Sequence, residues 1–237
     1  AARPAPAPAP APAAMQLEAP LRVRLRTGAE IRPDPRLCVL TAPGSAAAEQ
    51  YRVLSLKLRE SRGNRVIACV SPTAEGLAHV AAANLALALS EGDRCRVLLI
   101  DANLRRPSLE ALFSLATPVG FTDQIRQHRN SPEDEWEVVS LTPGLSLLPG
   151  GTPEVNPAAL LSAGPVGDLL REARRLFDYI VLSTPPVTAA ADVNILQDHL
   201  DGAILVVRSG VTRRDAVAAS LGQLGASKFL GAVLLAH

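Results

Sequence analysis

Two hundred and thirty-seven residues with 48% apolar content suffice for one large domain or a domain with a tail, and three scattered cysteines exclude a disulfide scaffold. Aromatic residues make up only 3% of the chain, and Lys+Arg 24 against Asp+Glu 23 leaves a formal charge of +1. Base stacking on exposed rings and a global field for nucleic acid are therefore excluded, and any anion site must be local.

Cys38, Cys69 and Cys95 each lie in or beside an apolar run and read as small buried residues of a reducing compartment. The four histidines show no ligand spacing, so no metal centre is expected. No apolar stretch approaches the roughly 18–20 residues of a membrane span, and no charged segment precedes a short apolar one. The chain reads as soluble and unexported.

Residues 1–20 open with AARPAPAPAPAPAA, in which five of the 20 prolines alternate with alanine, an extended tail or linker. Residues 21–36 form a basic lead-in. In LRVRLR, Leu21, Val23 and Leu25 alternate with Arg22, Arg24 and Arg26, the pattern of a strand with its arginines on one face. From residue 37 to 237 short apolar runs alternate with helical patterns. LCVL (37–40), RVIACV (65–70), RVLLID (96–101), YIVLS (179–183), AILVV (203–207) and GAVLL (231–235) read as strands buried on both faces. Helical stretches fall at 46–60, 78–90, 108–113, 158–176, 189–197 and 213–224. This alternation predicts an α/β fold, a doubly wound, mostly parallel sheet flanked by helices. Ligands of such sheets sit at the carboxyl ends of the strands, so the loops after Val70, Ile100, Leu182 and Val207 are the ones to inspect.

The run RVIACV leads through Ser71-Pro72-Thr73-Ala74-Glu75-Gly76-Leu77-Ala78 into an Ala/Leu helix, the strand–loop–helix order of a phosphate loop. Further along come EQYRVLSLKLR (49–59), VLLIDANLRRPSL (97–109), GFTDQI (120–125), GLSLLPGGTPEVNPAALLS (144–162), FDYIVLSTPPV (177–187) and VVRSGVTRRD (206–215). Together these resemble the deviant Walker A ATPases, and within them the bacterial tyrosine kinases of capsule and exopolysaccharide export, over about residues 37–237. The resemblance implies a P-loop NTPase-like fold and a setting on the cytoplasmic face of the inner membrane. Its implied partners are a polysaccharide co-polymerase-type membrane protein or an active kinase paralogue, with a homo-oligomer also possible.

Departures from the family pattern fall on the chemistry. Where the family has Pro-Gly-Glu-Gly-Lys-Ser or Thr, this chain has Thr73-Ala74-Glu75-Gly76-Leu77-Ala78: the phosphate-binding lysine is Leu77 and the Mg²⁺-binding hydroxyl is Ala78. Ser183 replaces the Walker B aspartate, Asn103 replaces the second acid after Asp101, and Leu234-Leu235 stand where the family has Val-Leu-Asn with its purine-side asparagine, in a base region that includes Arg208. Asp101 is the one retained acidic candidate. His79 is conceivable as a substitute phosphate contact, although a partly exposed helix histidine is the simpler reading.

Each hydrogen bond to a charged group is worth roughly 1.5–3 kcal/mol, so the missing lysine and metal ligands remove on the order of 4–9 kcal/mol, against about 8 kcal/mol for micromolar binding. No catalytic residue, no cofactor and no Mg²⁺ are expected, with weak ATP, ADP or phosphate contact to loop amides still open. Glu49 and Arg52 match the family's subunit-contact helix, with Ser55 in place of its last arginine, and Arg105 and Arg106 match its active-site edge. These four are the interaction candidates. The expected function is a catalytically degenerate kinase-like interaction module. The alternatives are an active kinase borrowing Lys57 or Lys228, the only two lysines, and a positioning or partitioning ATPase-like adaptor.

Overall fold

Five of the apolar runs form strands side by side, and three further strands complete a single sheet. The strands are β1 (Val23–Arg26), β2 (Val66–Val70), β3 (Val97–Asp101), β4 (Trp136–Thr142), β5 (Leu145–Leu148), β6 (Tyr179–Ser183), β7 (Gly202–Arg208) and β8 (Phe229–Leu235). Their order is β1-β4-β5-β3-β6-β2-β7-β8. Neighbours are parallel except β4 and β5, a hairpin through Pro143-Gly144 with a register shift near Ser140. The computed structural model describes residues 23–26, 32–61, 63, 65–74, 77–93, 95–116, 119–188 and 191–236. The Ala/Pro-rich segment 1–20 lies outside them, as do Arg22 and the side chain of Arg26. Arg24 pairs with Glu135 and Glu137 at the β1 edge.

The helices are α1 (Cys38–Thr41), α2 (Ala46–Glu60), α3 (Ala78–Ser90), α4 (Leu109–Leu112), α5 (Phe121–His128), α6 (Pro157–Leu161), α7 (Gly164–Leu176), α8 (Asp192–Leu196) and α9 (Arg214–Leu224). Because strand side chains alternate, β2 sends Ile67 and Cys69 into one core, with α1 to α4, and Val66, Ala68 and Val70 into the other, under α5 to α8. α3 is apolar all round and accordingly buried along its length, apart from His79. Its Asn84 is fully partnered: Oδ1 accepts from Val39 N–H and the Cys38 thiol, while Nδ2 donates to the carbonyls of Arg36 and Val80.

That Asn84 anchor explains one correction. Residues 37–40, expected as a strand, form the helical turn α1, closed by the Thr41 hydroxyl on Leu37 O (3.0 Å) and packed on α3 through Leu37 and Val39. Four apolar residues cannot by themselves distinguish the two conformations. A second correction concerns β8, expected to be buried on both faces. It is the sheet edge, and Leu234 is 68% exposed. The stretch 158–176 divides into α6 and α7 around Ser162 and Ala163; of the stretch 189–197, residues 189–190 lie outside the described residues and Asp192–Leu196 form α8. α5, β4 and β5 were not expected. His128 ties α5 to β4, stacking on Trp136 with ring centres 4.0 Å apart while its ring nitrogens lie 2.8 and 3.0 Å from the carbonyls of Gln124 and Asp134.

Candidate functional site

Asp101 and Ser183 end β3 and β6 as register partners, and Ser183 is in turn the register partner of Cys69, one residue before the end of β2. Beyond Val70, residues 71–74 are tied to the loop after β6. Val187 N–H donates to Ser71 O (2.9 Å), the Thr188 hydroxyl to Pro72 O (2.7 Å) and the Thr184 hydroxyl to Cys69 O (3.2 Å). Within the loop the Ser71 hydroxyl donates to Thr73 O (2.8 Å). Thr73 is half-buried and Ala74 exposed; Glu75 and Gly76 lie outside the described residues.

Leu77 caps α3 with φ 56° and ψ 35°, a left-handed conformation that costs a branched L-residue roughly 1–2 kcal/mol. Its side chain packs against the α2–α3 core, and Ala78 behind it is buried. His79 stands near the Arg36–Asp34 ion pair; burial, with the Arg36 charge, pushes its pKa down to about 4, so it is neutral at pH 7 and offers a phosphate no charge.

Asp101 is fully buried, and its carboxylate accepts three backbone N–H groups: Asn103 (3.1 Å), Ser108 (2.7 Å) and Leu109 (2.9 Å). Burial pushes its pKa up to about 7, against those donors, and the Glu110 charge adds to the rise. Its acceptor capacity goes into folding 103–109 back over the strand end. Arg105 completes that brace: Nε and Nη2 bond the buried carboxylate of Asp192 (3.2 and 3.3 Å), and Nη1 bonds Val155 O (2.7 Å). Arg106, beside it, is exposed.

The sequence reading missed the support beneath this loop. Gly150 packs against Pro107 so closely that a Cβ would lie 2.6 Å from the ring. At Gly120 a Cβ would lie 2.2 Å from Gly151 N. Asp123 accepts from the N–H groups of Gly120 and Thr152 (3.0 and 3.1 Å). The GFTD and PGG segments are thus one buttress, and their glycines were the available signal.

Of the other candidates, Arg208 and Leu235 pair in register at the ends of β7 and β8. Arg52 is held within its own subunit by a bidentate pair with Glu91 (2.7 and 2.8 Å) and by bonds to Pro43 O (2.7 Å) and Glu49. Lys228 donates to Leu200 O at the amino ends of the strands, away from this site. Lys57 is exposed on α2. Among the described residues no group of three or more His, Cys, Asp or Glu is placed to hold a metal, and no helix is long and apolar enough to cross a membrane.

A mostly parallel sheet with a strand–loop–helix turn at its centre defines a P-loop ATPase-like fold, and the solved kinase domain of Escherichia coli tyrosine kinase ETK shares it. The two match with a TM-score of 0.76 at 23% identity, over 89% of this chain and 82% of that one. In sequence, the chain is 33% identical over 216 residues to tyrosine-protein kinase YwqD of Bacillus subtilis, covering 89% of this chain and 90% of YwqD. It is 30% identical over 192 residues to tyrosine-protein kinase CpsD of Streptococcus agalactiae serotype III, covering 78% and 81%. No protein-family model matches. The chain belongs to the bacterial tyrosine-protein kinase family.

Proposed function

We propose that this chain is a catalytically degenerate member of its family and acts by protein contact instead of phosphoryl transfer. One observation carries the reading: at the ends of β2, β3 and β6 stand Leu77, Ala78 and Ser183, and the carboxylate beside them, Asp101, is spent on three backbone amides. Mg-ATP does not suit this set. Phosphoryl transfer rests on positioning and charge neutralisation, and among the described residues of this site no lysine, no hydroxyl at position 78 and no uncommitted carboxylate supplies either. Amides at the start of α3 remain a weak contact for phosphate, ATP or ADP without Mg²⁺.

The setting that best suits the chain is the cytoplasmic face of the inner membrane, in capsule or exopolysaccharide synthesis and export. There it binds a polysaccharide co-polymerase-type membrane protein or an active kinase paralogue and biases assembly by occupancy. The exposed guanidinium of Arg106, on a loop braced by Arg105 and Asp101, is a rigidly presented contact for such a partner. Calorimetric titration with ATP, with and without Mg²⁺, checks the reading together with a tyrosine-labelling assay. The expected result is no micromolar binding, no gain from Mg²⁺ and no labelling. Micromolar Mg-ATP binding with phosphotyrosine on the chain or its partner would overturn it, and loss of that labelling in Lys57→Ala would establish the borrowed-lysine alternative.

A further inference from the structure

The two edges of the sheet differ. β1 carries Arg24 paired to acidic residues, whereas β8 is seven residues long, Phe229-Leu230-Gly231-Ala232-Val233-Leu234-Leu235, with no charge and no proline. Sheet edges are ordinarily blunted by such residues, and a long apolar edge without them is a template for another strand. Among the described residues no strand pairs with its outer side. Beside it runs a groove of about 810 Å³ between β8, α2 and the start of α3, lined by Val53, Leu54, Val80, Val233 and Leu235. We infer that this edge pairs with the same edge of a second copy of the chain, antiparallel about a two-fold axis at Val233, joining two sheets into one.

The backbone phase supports that register. Leu235 gives its carbonyl to Ser209 N–H, on the β7 side. Peptide groups alternate in direction along a parallel ladder, so those of Val233 also face β7, and those of Ala232 and Leu234 face outward. With the axis at Val233, Ala232 of each copy meets Leu234 of the other as a hydrogen-bonded pair, giving four N–H···O=C bonds. Val233 meets Val233 as a non-bonded pair.

Side-chain volumes agree with this arrangement. Leu234, 68% exposed, comes to lie opposite Ala232, and Leu235 opposite Gly231, so on each face a leucine meets a small residue twice. An axis one residue earlier, at Ala232, sets Leu230 against Leu234 and runs into the register irregularity where β7 and β8 begin to pair. A single uncharged strand is its own complement, as a two-fold interface requires. The pairing uses neither the phosphate-loop side chains nor nucleotide, so it stands or falls separately from the proposed function.

Sedimentation of the full chain over a concentration series, without nucleotide, tests the pairing. The expected result is a reversible dimer whose dissociation constant rises by roughly 10-fold or more in Leu234→Lys, which places like charges near the paired edges. Because Leu234 is largely exposed in the single chain, the thermal midpoint of that variant stays near the parent's when both are measured well below the dimer's dissociation constant. Opposed non-bonded residues sit about 4.5 Å apart at Cα, within disulfide reach. Val233→Cys should therefore form a disulfide-linked dimer under mild oxidation, while the parent chain, with Cys38, Cys69 and Cys95, does not. Ala232→Cys reports the competing register. A chain that stays monomeric, a dimer indifferent to Leu234→Lys, cross-linking through residue 232 in preference to 233, or concentration-independent amide protection at Ala232 and Leu234 would each overturn the inference.

Discussion

Two neighbouring loops at the carboxyl ends of the central strands contrast in what holds them. The loop after β3 keeps Asp101, Arg105 and Pro107, and each has a structural partner: three amides for Asp101, the buried Asp192 for Arg105, the Gly150 backbone for Pro107. The loop after β2 has neither the lysine nor the hydroxyl of the related kinases, and its described half is held by backbone carbonyls and the threonines of the β6 loop. The β3 loop keeps side chains that fold the strand end, while Leu77 and Ala78 of the β2 loop carry neither a cation nor a hydroxyl. On the proposed function, the same frame presents a surface without the reaction.

Restoring the chemistry is the strongest way to break that contrast. Leu77→Lys, Ala78→Thr and Ser183→Asp together return the cation, the hydroxyl and the carboxylate to a frame otherwise in place. Even a third of the estimated loss would raise Mg-ATP affinity by about 10-fold, and the expected gain is roughly 100-fold or more, read by calorimetry. No gain with the fold intact would mean that the frame itself has closed.

Removing a brace from the other loop is the next largest effect. Arg105→Ala leaves the fully buried Asp192 carboxylate without its guanidinium. Loss of a buried partner costs 3–5 kcal/mol in well-enclosed pairs, and allowance for the 40% exposure of the arginine side chain leaves about 2 kcal/mol. Denaturant unfolding should show that loss, whereas Arg106→Ala should leave stability within ~0.5 kcal/mol of the parent. Equal losses in the two variants would undo the division between brace and surface.

The sheet centre was legible in the sequence because it is buried on both faces: β2, β3, β6 and β7 fall on short β-branched apolar runs that alternate with longer helical patterns. α2 was clear from its periodicity, and α3 and α9 from their length and Ala/Leu content. Residues 37–40 carried the same apolar signal and became a helical turn because Asn84, distant in sequence, takes their backbone. β5 was hidden by its shortness and β4 by the polar residues Glu137, Ser140 and Thr142 that break its apolar run, and their Pro143-Gly144 turn falls beside a family motif. At the site, the absent lysine and hydroxyl were plain in the sequence. The capture of Asp101 by Asn103, Ser108 and Leu109 was not, since it depends on how 103–109 folds back.

Asp101 also distinguishes the loops by pH. Its folded pKa, pushed up to about 7 from an ordinary 3.8, means that the folded protein keeps a proton the unfolded chain releases. The stability this supplies is fully present below about pH 4 and is lost as pH rises through 7. His79 acts with the opposite sign: with its pKa pushed down to about 4, the unfolded chain takes up the proton first, so stability from this group rises between about pH 4 and 6.5. In Asp101→Asn the falling limb should disappear and the rising limb remain, as thermal midpoints across pH 4–8 would show. A parallel shift of the whole curve would assign Asp101 a role independent of its charge.

The smallest effect is the most specific to the phosphate loop. At an ordinary helix-start position a glycine is no better than an alanine, yet Leu77 sits at φ 56°, where only glycine is free of the Cβ clash. Leu77→Ala gives up part of the side chain's packing, worth about 1 kcal/mol for a half-buried leucine, and keeps the backbone cost. Leu77→Gly gives up the same packing and recovers roughly 1 kcal/mol of strain. Glycine should therefore be the more stable substitution by about 1 kcal/mol, measured by denaturant midpoints. If alanine proves the better, the left-handed turn relaxes once leucine is removed, and the leucine itself holds it there; if glycine does, the turn belongs to the loop and persists without any phosphate ligand to justify it.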